Sequence, residues 1–141
     1  MNETKINSQY LIVLKKGESV LSSLKDFCQK QGVANGFFVG LGAVEEAELA
    51  HYSVAQKKYT SFKLKEPLEV ISLTGNVFLG PEGELIIHAH ASLGRSTGEV
   101  IGGHLVEMVI SGTGEILLTP LFSEFRKEYD PETGLKILKH F

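Results

Sequence analysis

Residues 84–92, Glu84-Leu85-Ile86-Ile87-His88-Ala89-His90-Ala91-Ser92, continue across a glycine-broken loop to Gly102-Gly103-His104, and this stretch decides the fold. Side chains alternate between the two faces of a strand, so the consecutive Leu85, Ile86 and Ile87 place apolar groups on both. Val109-Ile110 and Ile116-Leu117-Leu118 do the same. A sheet built from such strands must be covered on each face.

The sequence offers little to cover it with. Val20, Leu21, Leu24, Phe27 and Cys28 recur at helical spacing, and Gly32 supplies the stop, which predicts one amphipathic helix. A helix of about 14 residues is roughly 21 Å long and shields only part of one face. The sheet is therefore expected to curl on itself and to meet further copies of the chain. Elsewhere short apolar runs are punctuated by glycine, which predicts strands over 10–14, 36–41, 43–52, 58–64, 68–79, 84–92, 104–111, 115–121 and 135–140. Segment 45–50 also has the propensity for helix. Gly80-Pro81-Glu82-Gly83 and Asp130-Pro131-Glu132-Thr133-Gly134 read as tight turns, as do Gly40-Leu41-Gly42 and Gly112-Thr113-Gly114.

Composition narrows the class further. The 141 residues are 43% hydrophobic and 22% charged, which excludes a disordered chain and suits one domain over 1–141. A chain of this size does not need a disulfide or a metal in order to fold. The net charge of -3 lacks the footprint of phosphate-backbone binding, so a nucleic-acid partner is disfavoured. Cys28, the one cysteine, points to a reducing compartment. The polar start at 1–8 has no signal-peptide pattern, and the uncharged stretch 31–44 is too short to span a membrane. A cytoplasmic protein is expected.

Three of the five histidines lie at 88, 90 and 104. Residues two apart on a strand share a face and sit about 6.6 Å apart along it. A simple hairpin centred on Thr97 makes His104 the cross-strand neighbour of His90, and all three imidazoles can then share one centre. Three neutral nitrogens with an open fourth position suit zinc or another divalent transition metal, and the single cysteine excludes Cys-rich structural zinc. The same spacing also suits hydrogen-bonded sheet histidines. His51 and His140 stand alone. Cys28 falls on the helix's apolar stripe and reads as a structural thiol. Glu107 and Arg95 are the local candidates for an acid or base, although a flat strand turns Glu107 away from His104.

Four blocks together carry a family likeness: 36–44 (Gly-Phe-Phe-Val-Gly-Leu-Gly-Ala-Val), 68–77 (Leu-Glu-Val-Ile-Ser-Leu-Thr-Gly-Asn-Val), 87–93 (Ile-His-Ala-His-Ala-Ser-Leu), and Gly98 through Gly102-Gly103-His104-Leu105. Over about 8–122 the chain resembles the plants-and-prokaryotes-conserved (PPC) domain. The resemblance implies an α/β sandwich with a strongly curved antiparallel sheet and one main helix, assembled as a homotrimer. It also implies a metal site, usually zinc, on His88, His90 and His104. Plant relatives place AT-hooks with an Arg-Gly-Arg-Pro core before this domain, and these 141 residues contain no such motif.

Three functions follow from these readings. The first is a non-enzymatic regulatory module, a cytoplasmic homotrimer that binds a metal and a small-molecule ligand or protein partner. The second is a zinc-dependent hydrolase using metal-bound water. The third is a DNA-associated protein, which requires Lys15, Lys16, Lys57, Lys58, Lys63 and Lys65 to gather on one face. They are ranked in that order.

Overall fold

The computed structural model describes residues 1–122 and 125–139. The apolar run after Gln9 forms β2 (Gln9–Lys15), with Ile12 and Leu14 fully buried. Before it lies β1 (Asn2–Ile6), a strand the sequence does not announce: all five residues are exposed, so it has no apolar alternation to show. Asn7, in the left-handed region at φ 56°, turns the chain between them.

The predicted helix is α1 (Val20–Gln31), and its stripe of Val20, Leu24, Phe27 and Cys28 is buried. Gly32 ends it in the left-handed conformation, φ 67°. Cys28 is fully buried, and burial pushes its thiol up to about 11, in keeping with a structural role.

Two glycine pairs expected to turn the chain instead lie inside strands. β3 (Gly36–Ser53) and β7 (Val100–Pro120) run unbroken through 40–42 and 112–114. They pair antiparallel along their length with Gly42 opposite Gly114, and the register shifts just beyond. Opposed glycines let the two long strands approach closely and bend together, so the breaks in the apolar pattern become bulges rather than reversals. Segment 45–50 belongs to β3 and is strand, not helix.

The remaining strands are β4 (Lys58–Leu64), β5 (Leu68–Leu79), β6 (Leu85–Gly94), β8 (Lys127–Asp130) and β9 (Leu135–Leu138). β9 begins where predicted; residue 140 of that prediction, with His140, lies outside the described residues. Seven strands form one antiparallel sheet in the order β1-β2-β7-β6-β5-β3-β4, and β8 and β9 form a separate hairpin. Because β7 also pairs with β3, the circuit β3-β5-β6-β7 closes on itself. The expected curling is therefore complete for four strands, and the helix packs on β7 and β6. Inside lie Leu73, Val77, Ala89, Ala91, Leu93 and Leu105, in one core cluster with the helix's buried stripe.

Candidate metal centre

Alternation fixes which side chains leave the core. Ala89 and Ala91 of β6 point inward, so His88 and His90 stand on the outer face of the closed sheet. The β6–β7 turn is built on Arg95 and Glu99, with the Arg95 amide donating to the Glu99 carbonyl at 2.8 Å, and it sets His90 opposite His104. That is the register expected from a hairpin centred on Thr97. The Nε2 atoms of His88 and His90 are 3.2 Å apart, and one ring nitrogen from each of the three histidines lies within 4.8 Å of the others. Ring centroids are 4.9 Å (88–90), 5.3 Å (88–104) and 5.7 Å (90–104) apart.

Two nitrogens bound to one tetrahedral zinc at 2.0–2.1 Å sit about 3.3 Å from each other. The 88–90 pair already has this spacing, and His104 needs only a small side-chain adjustment to reach it. The donor set therefore fits a three-imidazole metal centre.

The electrostatics point the same way. Burial, with help from the positive charge of Lys127 and from the neighbouring histidines, pushes His88 down to about 4. His104 is lowered by burial, then by His90 and Lys127. Both shifts favour the neutral imidazole, the form that binds a metal.

An open cleft of about 1060 Å³ surrounds the three rings. Tyr59 of β4 stacks tilted on His104 at 4.8 Å, and the β8–β9 hairpin contributes to the wall. Tyr52 donates to the Thr133 carbonyl at 2.7 Å, and Lys136 is ion-paired to Glu84 at 2.7 Å, which ties that hairpin to the sheet. Its first residue, Lys127, lines the cleft and is only 4% exposed.

Sequence reasoning missed Lys127 and Tyr59. Lys127 lies on a four-residue strand with no apolar period, and nothing in its local sequence places it under a roof. The acid and base candidates behave differently from the expectation. Glu107 accepts hydrogen bonds from the Leu21 and Ser22 amides at 2.8 and 3.0 Å and from the Ser22 hydroxyl at 2.8 Å, so it serves the start of α1. Arg95 is ion-paired with Glu66 at 2.9 Å and with Glu99 at 3.2 Å. Neither lines the cleft. The exposed His51 sits at the cleft rim. The six lysines of the nucleic-acid reading divide between β2 with its following turn (Lys15, Lys16) and β4 with the residues on either side of it (Lys57, Lys58, Lys63, Lys65). Lys63 and Lys65 are ion-paired with Glu48 and Glu46.

The model of the Plants and Prokaryotes Conserved (PCC) domain, the family also abbreviated PPC, matches residues 1–122. The chain belongs to this family. Solved PPC-like structures agree closely with it. A candidate DNA-binding protein from Bacteroides thetaiotaomicron superposes with a TM-score of 0.93 at 27% identity, covering 98% of this chain and 96% of that one. A metal-containing protein from Archaeoglobus fulgidus gives 0.88 at 30% identity, covering 96% of each chain. A plant- and prokaryote-conserved protein from Pyrococcus horikoshii gives 0.87 at 31% identity, covering 99% and 94%. The curated proteins contain no match. No helix among the described residues is long and apolar enough to cross a membrane.

Proposed function

We propose that this PPC-domain chain is a homotrimeric metal-binding module in which His88, His90 and His104 hold one zinc or other divalent transition ion. Its role is to bind a small ligand or a partner rather than to hydrolyse a bond. The observation that carries the reading is the meeting of three imidazole nitrogens within 4.8 Å on the outer face of the sheet. A resemblance to a metal-containing protein that covers 96% of both chains supports it. The ion would supply a Lewis-acidic, open fourth position. No Asp or Glu among the described residues lines the cleft, which favours binding over general acid–base hydrolysis.

An apolar row on the outer face supports the trimer. Leu11, Leu117 and Val39 are cross-strand neighbours on β2, β7 and β3. Phe37, Val39 and Leu41 are 47%, 53% and 55% exposed, an apolar strip of the kind that marks an interface.

Metal analysis of the purified, zinc-loaded protein tests the site. About one ion per chain is expected, with loss of that ion in a His88→Ala, His90→Ala double variant. Unchanged metal in the variant, or none in the parent protein, would refute the assignment. Sizing is expected to give three times the 15.4 kDa chain mass, and a species of single-chain mass contradicts the trimer.

A further inference from the structure

The walls of the metal cleft are unbalanced in charge. The three histidines present neutral nitrogens, Lys127 and Lys136 carry ammonium groups, and no carboxylate among the described residues lines the space. Lys136 is neutralised by Glu84. Lys127 is not: its residue is 4% exposed, and no hydrogen bond or ion pair joins its ammonium to another described residue. Its Nζ lies over the Phe78 ring, 5.9 Å from the centroid. A buried charge is normally paired, and a dication on the histidines would add to the excess. The rest of the wall includes Ile86, Ile87, Leu135 and Ile137.

We propose that the cleft binds a small organic carboxylate, held between the metal's open position and the Lys127 ammonium, with its apolar part against the isoleucines. The inference rests on the metal reading above. A carboxylate fits better than a phosphate, because a single lysine between apolar walls offers one charge, without the arginine or glycine-rich nest that surrounds phosphoryl groups. Lys127 is a positioning and charge-pairing residue for this ligand and is not a metal ligand.

Cobalt-loaded protein provides the test, because its visible spectrum reports the ligands around the ion. Butyrate, its neutral analogue butyramide and inorganic phosphate serve as probes. Saturable spectral change is expected with butyrate and not with butyramide. Lys127→Met, which keeps the stem and removes the charge, is expected to retain its cobalt and to weaken butyrate at least tenfold. Equal binding of butyramide overturns the anion assignment, tighter phosphate overturns the carboxylate, and unchanged butyrate affinity in Lys127→Met overturns the role of the lysine. A parent protein that loads cobalt yet shows no butyrate response overturns the proposal while leaving the metal centre standing. Failure to load cobalt at all removes the metal reading and this inference together.

Discussion

Glu107 shows how one side chain can look catalytic in sequence and be structural in space. It stands three residues from His104, yet its carboxylate closes the start of α1, where Ser19 makes no side-chain cap of its own. Two amides and a hydroxyl at the positive end of the helix are thus satisfied from another element. Glu107→Ala is expected to cost about 1–2 kcal/mol in urea unfolding, in the range of a lost helix cap, with metal content unchanged. A variant of full stability that loses metal would return Glu107 to the site. The histidines themselves were legible, because two-residue spacing and one hairpin centre determine where three rings meet. Lys127 was not legible, because its position depends on a hairpin whose docking is set by tertiary contacts such as Tyr52 to Thr133.

At the level of the strand, β5 and β6 must lie close where the site is built. A Cβ on Gly75 would clash with the Phe38 ring and lie 2.6 Å from the His88 carbonyl oxygen. Gly75→Ala therefore pushes Phe38 or the backbone of β6 aside. An overpacking cost of about 1–3 kcal/mol in denaturant unfolding is expected, together with weaker metal retention because His88 moves with its strand. Full stability and unchanged metal affinity would show that the barrel wall gives way freely at this point. Continuous β3 and β7 were only half legible: apolar runs marked their ends, but glycines at 40, 42, 112 and 114 carry the same signal whether a chain reverses or bends. Only the pairing of Gly42 with Gly114 distinguishes the two.

For the whole molecule, the surplus of apolar surface visible in the sequence has two destinations. Part of it is enclosed by the closed circuit of β3, β5, β6 and β7, and part remains exposed on Phe37, Val39 and Leu41. A Val39→Asp, Leu41→Asp double variant leaves the enclosed core untouched and is expected to shift the protein to single-chain mass on sizing with its far-UV spectrum retained. Persistence of the large species would place the interface elsewhere. Composition foretold the amount of this surface, whereas its division between inside and outside required the three-dimensional closure.

The last long strand has a consequence for how the molecule is made. Residues 10 to 15 and 36 to 50 both find partners on a segment that ends at Pro120, so β2 and β3, whatever they meet earlier on β1, β4 and β5, complete their pairing only once that segment has been made. Distant pairings of this kind delay folding and leave sticky edges waiting. Local hairpins can form before it, but closure of the sheet waits on this keystone.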